Sequence, residues 1–470
     1  MITLVPPHGD STLRLGDDED LDLNAMFLAE LMTQARDSTP APMSGDRAAA
    51  LLRNAGAAAL RDEHADRGHR LRGLAAILTG LASPEHGVRL RLDDLELTDG
   101  STQSSADVFR AGAAPAPYHA VLERAAELAN RHRDITLVLE RDQQLPAAVW
   151  LADHLGTAGR ALRVTGRFAT SYWTTLRTLP PFTGAALDPA PRGLEWRVVD
   201  PFTAAALPTL RWRERAADPA PPGPWAGRVA LREIMAGAVT NAHTVILGLC
   251  TTPDCAVGRG GTTAGWQDLA AALDPLRRAG VQVLAELWIG APGIDLELAP
   301  AALRAAQQIV GRVTGFRVFD WPVGWTESRW DGQPVRLAPT RYDLARHHIL
   351  SDQAPAEQLI AMVTALARPL ARDGLLVPGR IAAAYLTPPP RLATQGPGLD
   401  PDVVLGARST RTGKGVAVNL RTGACTTVDS SLSGLIDTRP PASTVRDVLA
   451  GLAPELLPAL RDGDVLVGMS

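Results

Sequence analysis

The groups in this 470-residue chain whose types and spacing could do chemistry are few. Cys250 and Cys255 are spaced C-x4-C, and Cys425 stands far downstream. Three thiols are too few for a disulfide framework or a four-cysteine zinc site. The pair could bind a metal only with two further ligands, for instance His243 or Asp254; buried or idle thiols are the simpler reading. Glu286 and Asp320 stand near the C-terminal ends of predicted strands, where barrel enzymes place catalytic groups. Two such carboxylates could share a metal or divide acid and base roles; the alternative is a solvated or arginine-paired strand end. His347 and His348 are adjacent, so on a helix they point about 100° apart and cannot readily share an ion.

Other candidates are binding features. Gly258-Arg259-Gly260-Gly261-Thr262-Thr263 follows a predicted strand and precedes a helix, a setting that can cradle an anion. It lacks both the Walker spacing and G-x-G-x-x-G, so a flexible loop also accounts for it. Trp321, Trp325 and Trp330, with Phe316 and Phe319, are dense for a chain only 4% aromatic. Such a group lines an interface or ligand cleft, or packs a core. Lys414 is the sole lysine and sits in the turn-like Thr412-Gly413-Lys414-Gly415, so Schiff-base chemistry has one solvated candidate.

These residues need a scaffold, and the composition provides for one. With 47 basic and 51 acidic residues the net charge is −4, and 46% of residues are apolar. This predicts a folded, soluble chain of about three domains. The balance argues against a nucleic-acid partner, and no apolar run approaches the ~20 residues of a membrane span. The start, Met1-Ile2-Thr3-Leu4-Val5-Pro6-Pro7-His8, lacks a basic leader, so a cytoplasmic location is expected.

Residues 1–105 read as mixed and mostly helical, with a helix after Asp17-Asp18-Glu19-Asp20 and a half-buried strand at Val88-Arg89-Leu90-Arg91-Leu92. In 106–217, helices and the strands Ile135–Leu139 and Ala161–Thr165 alternate, which predicts a parallel sheet covered on both faces. After the Pro-rich stretch 218–224, residues 226–387 alternate again, with strands at Thr244–Leu249, Val281–Leu287 and Gly315–Trp321. About four to six such units predict an open, partial β/α barrel. Residues 400–470 predict strands at Val403–Gly406, Val416–Leu420 and Cys425–Val428, then helices from Ser443 and Pro454, a small winged-helix-like α+β module.

Three passages carry a family resemblance. They are Asp134–Glu140 through Leu145–Ala152; Arg163-Val164-Thr165-Gly166-Arg167-Phe168-Ala169 with Leu176–Pro180; and Trp266–Leu276 with Ala285–Gly293. In order, they resemble cobalamin-binding-type radical S-adenosylmethionine proteins. The last 70 residues resemble the peptide-recognition domain of peptide natural-product maturation. The resemblance implies a Rossmann-like cobalamin-domain-type sheet, a partial barrel and a peptide-binding module. It also implies an iron–sulfur cluster on C-x3-C-x2-C and a cobalt-ligating D-x-H-x2-G loop.

The stretch from Asp200 to Trp225 holds no cysteine, and neither His119 nor His154 is followed by the required glycine. The expectation is therefore a chain without cofactor, although a corrinoid bound without histidine stays open. It would bind a precursor or leader peptide, or a catalytic radical enzyme. Cys425, Thr427, Val428, Val445 and Leu449 would line the peptide groove, and Trp321, Trp325 and Trp330 an interface. A metal-assisted barrel hydrolase using Glu286 and Asp320, or a cobalamin carrier, are the alternatives.

Overall fold

Short apolar runs pair with distant ones to build the first sheet. In the computed structural model, β1 (Ile2–Val5) lies between β2 (Leu21–Asp22) and β3 (Asp134–Val138), followed by β4 (Ala161–Thr165) and β5 (Ala186–Asp188). All neighbours are parallel, so the spatial order is 2-1-3-4-5, one of the two common doubly wound arrangements. The structure describes residues 2–7, 13–14, 20–37, 46–62, 65–92, 94–156, 161–189, 197–198, 202, 210–213, 216–258, 261–289, 296–320, 329–330, 333–334, 343–344, 356–373, 375–377 and 398–439, with 445, 447, 449, 459–460 and 464–467 beyond.

Between β2 and β3 the chain forms α1 (Leu23–Asp37), α2 (Arg47–Arg61), α3 (Arg67–Gly80), α4 (Ser105–Gly112) and α5 (His119–Ala129). Asp46 and Asp66 cap α2 and α3 by accepting from first-turn amides. The two helices meet closely through glycine: a Cβ on Gly56 would come 2.3 Å from the Gly73 carbonyl oxygen. The strand at Val88–Leu90 is half of a hairpin with Leu95–Leu97. Two β-α-β units, through α6 (Leu145–Gly156) and α7 (Arg167–Leu176), complete the first sheet. The helix α7 begins at Arg167, directly after Gly166, which takes φ 104° beside the Leu139 carbonyl and turns the chain sharply.

The second sheet has a parallel array in sequence order. It comprises β6 (Leu210–Arg213), β7 (Trp225–Val229), β8 (Ala242–Thr251), β11 (Gln282–Ile289) and β12 (Gly315–Asp320). An antiparallel hairpin, β9 (Cys255–Gly258) and β10 (Thr263–Gly265), extends from the end of β8. Among the described residues no closed barrel forms. The outer face packs Val245, Leu247, Val283 and Leu287 against α8 (Leu231–Met235), α9 (Trp266–Arg278), α10 (Ala299–Ala306) and α11 (Ala356–Arg372). The other face adds Leu210, Ala226, Ile246 and Leu284 to the apolar core of the first sheet.

The third sheet is the antiparallel series β13 (Val403–Arg408), β14 (Gly415–Asn419) and β15 (Cys425–Val428). Strand alternation gives it two apolar faces. Val403, Ala417 and Val428 pack on α12 (Ser430–Thr438), while Val404 and Val418 pack on Ala55 and Ala59 of α2. The helix α12 has no counterpart in the apolar pattern; its Ser-Gly composition is overridden by the Asp429 cap and by burial of Leu432, Leu435 and Ile436. Of the expected C-terminal helices, only positions such as Val445, Asp447, Leu449 and Leu460 lie within the described residues. No described helix is long and apolar enough to cross a membrane.

Candidate functional site

The outer strand of the third sheet, β15, has one edge open. The Asn419 N–H donates to the Ala424 carbonyl at 2.9 Å, which makes 419 and 424 a hydrogen-bonded pair. Antiparallel pairs alternate, so Ala417↔Thr426 and Gly415↔Val428 carry the next ladder bonds. Cys425 and Thr427, opposite Val418 and Val416, therefore turn their main-chain N–H and C=O groups away from β14. No strand among the described residues pairs with that side. The side chains of Cys425 and Thr427 are exposed, whereas Val428 is 2% exposed and shares the core with Val445 and Leu449. All three are buried in that core, so of the five residues expected to line a groove only Cys425 and Thr427 reach the surface.

One end of β15 is anchored by buried charge. Arg421, in the turn from β14, pairs with Asp400 and, at 3.2 Å, with Asp402. Asp402 also receives Arg72 of α3 at 2.8 Å and the His69 ring nitrogen Nδ1 at 3.2 Å. Asn419 Nδ2 donates to Asp400 at 3.0 Å. Burial alone would raise the Asp402 carboxyl; the His69 hydrogen bond and the Arg72 and Arg421 charges reverse this and hold it at about 2. At Asp400 burial prevails over Arg421, and its carboxyl is shifted up.

The expected barrel carboxylate, Glu286, lies on the inner face of the second sheet and is 1% exposed. The strand register sets Gly248 on one side of it and Arg317 on the other. Arg228 reaches it at 2.8 Å, and Arg317 Nη1 stands 3.9 Å away. A buried carboxylate between two guanidinium groups is a structural ion cluster first, since each partner offsets the desolvation of the others. Asp320 is three positions along β12 from Arg317, opposite Ile289, and its side chain lies outside the described residues. Trp321, Trp325 and the pair His347–His348 also fall outside them, and of Trp330 only the backbone, paired with Gln333, is described.

The mouth of the first sheet is closed by its own side chains. Doubly wound sheets bind ligands beyond the strand C-termini where the order reverses, here between β1 and β3. Gln144, 1% exposed, fills that point. Its Nε2 donates to the carbonyls of Pro6 at 3.4 Å and Val138 at 3.2 Å. Its Oε1 accepts from the amides of Glu140 at 2.7 Å and Arg141 at 3.1 Å. Beside it, Arg167 pairs with Asp218 at 3.1 Å, and its amide donates to Glu140.

Among the described residues the implied three-thiolate and cobalt-histidine ligand sets find no counterpart. His119 and His154 belong to α5 and α6, grouped around Trp150, with the His154 ring stacked on it at 3.6 Å. The His119 ring is shifted down by burial, with Glu123 opposing and His154 and His86 adding to the shift. The loop after β6, where the resemblance expects three thiolates, is held by Arg213, which donates to the Asp218 and Ala216 carbonyls at 2.8 and 2.6 Å. Cys250 is buried in β8 with its thiol pushed up by that burial, Cys255 begins the adjoining β9, and Cys425 belongs to the third sheet. Among the described residues no group of three or more His, Cys, Asp or Glu could hold a metal ion.

The glycine-rich segment is a hairpin turn: the Gly258 amide donates to the Thr262 carbonyl at 2.7 Å as β9 passes into β10. Comparison with protein-family models, curated proteins and solved structures finds no match to this chain.

Proposed function

We propose that this protein is a peptide-holding scaffold of peptide natural-product maturation. In this reading it is a cluster-free relative of the cobalamin-binding-type radical S-adenosylmethionine proteins, and β15 captures an extended stretch of precursor peptide as a fourth strand. The 2-1-3-4-5 order of the first sheet and the sequential parallel array of the second support a cobalamin-domain-type sheet followed by a partial barrel. The third sheet with α12 supports a winged-helix-like module.

The open main-chain groups of Cys425 and Thr427 carry the reading. Strand addition draws its affinity from such groups and its specificity from the side chains beside them, here the exposed Cys425 and Thr427, while Val428, Val445 and Leu449 are buried in the core that backs the strand. A catalytic radical enzyme is the second partner in this reading, suggested by the sequence density of Trp321, Trp325 and Trp330 alone. Glu286 is an ion-paired structural residue in this account and not a hydrolytic one.

The test uses a labelled extended peptide selected from a random displayed library on the full chain. It binds the full chain, and Thr427→Pro, which deletes one edge amide and crowds the rim, weakens binding at least about tenfold. Equal binding by the two proteins would overturn the proposal.

A further inference from the structure

The open rim is charged at one end. The tip between β13 and β14, residues 409–414, lies against the start of α12: a Cβ on Gly413 would stand 2.9 Å from the Ser430 Cβ. The tip is ordered by its own bonds, Ser409 N–H to Lys414 O at 2.8 Å and Gly413 N–H to Ser409 O at 2.9 Å. Gly415, which follows it, is the register partner of Val428, so the tip borders the Val428 end of β15. It presents Arg411 and Lys414, both exposed, and neither side chain has an ion pair or hydrogen bond among the described residues.

The nearby carboxylates are already engaged. Asp429 caps α12 by accepting from Leu432 N–H at 2.8 Å, and Asp437 is paired with Arg408. At the opposite end of β15 the turn Thr422-Gly423-Ala424 is uncharged, and Arg421 lies buried under Asp400 and Asp402. The rim thus runs from a neutral end at Cys425 to a doubly cationic end at Val428.

We infer that the segment captured at β15 is acidic, with its carboxylates beside Arg411 and Lys414; this rests on the strand-capture reading. The argument is one of register. An edge strand offers the same main-chain bonds at every second residue, so an added strand can slip by two without losing them. A charge pair at one end removes that degeneracy and speeds encounter. The third sheet with α12, residues 398–439, contains no Phe, Tyr or Trp on which a base could stack, which favours a peptide over a single-stranded nucleic acid.

A displayed library of random twelve-residue peptides is selected on the full chain, with Thr427→Pro protein as counter-selection. The surviving peptides carry net negative charge. They bind the R411A/K414A double variant about three- to tenfold more weakly, as expected for two exposed pairs, and that difference shrinks as salt rises. The double variant melts like the parent, because both side chains are exposed. Neutral or basic survivors, unchanged affinity for the double variant, or displacement of the peptides by a single-stranded oligonucleotide would each overturn the inference while leaving strand capture standing. Recovery of no peptide that depends on the Thr427 edge would overturn strand capture itself, and this inference with it.

Discussion

The mouth of the first sheet and the rim of the third are opposite solutions to one problem, unpaired main-chain groups at the end of a pattern. At the mouth, Gln144 bonds two carbonyls and two amides, and Arg167 ties the adjoining loop to Asp218. At the rim, the amides and carbonyls of Cys425 and Thr427 face outward with no strand beside them among the described residues. The proposed strand capture uses the second kind of site, where a row of main-chain groups stays open. The buried clusters around Asp402 and Glu286 belong with the mouth: they hold the frame still.

The contrast can be broken most forcefully at the buried charges. Asp402→Ala removes the carboxylate between Arg72 and His69 and leaves Arg421 with Asp400 alone, and Glu286→Ala removes the carboxylate between Arg228 and Arg317. Each costs about 3–5 kcal/mol of stability, read from denaturant midpoints. Gln144→Ala comes next, at about 2–4 kcal/mol, since it leaves buried main-chain groups without partners. If the mouth is instead a working ligand site, that variant loses little stability.

The acid side sharpens the same point. Asp402 has a folded pKa of about 2 against an ordinary value of 3.8, so it binds fewer protons folded than unfolded. Its contribution is therefore complete above about pH 4 and is lost as pH falls toward 2. The shift corresponds to about 2 kcal/mol. Asp400, shifted up by burial, contributes in the opposite sense. In an Asp402→Asn protein the loss of stability between pH 4 and 2 is shallower than in the parent, and identical acid profiles would remove Asp402 from the account. The smallest stability effect is expected at the rim, where Thr427→Pro changes an exposed edge position and costs about 1 kcal/mol or less.

Much of this frame was legible because β8, β11 and β12 are predominantly apolar runs, broken by Glu286 and Arg317, as in a buried parallel sheet. The rim was legible too, since Cys425–Val428 follows the turn Arg421-Thr422-Gly423. The strand Ile2–Val5 was not: four residues carry no period, and its partner Ile135–Leu137 stands far along the chain. Glu286 was visible as a carboxylate near a strand end, but Arg228 and Arg317 meet it only through strand register. His69 and Asp402 are 333 residues apart, and no local pattern links them. The tip cations were overlooked because an arginine in this chain is commonplace, and Lys414 alone looked merely solvated.

The most direct measurement is hydrogen exchange across residues 415–428 in the full chain, with and without a saturating selected peptide, alongside its affinity for parent and Thr427→Pro proteins. Strand capture predicts that the Cys425 and Thr427 amides become protected on binding and that the proline variant neither binds tightly nor gains protection. Tight binding with those two amides still exchanging freely would contradict it.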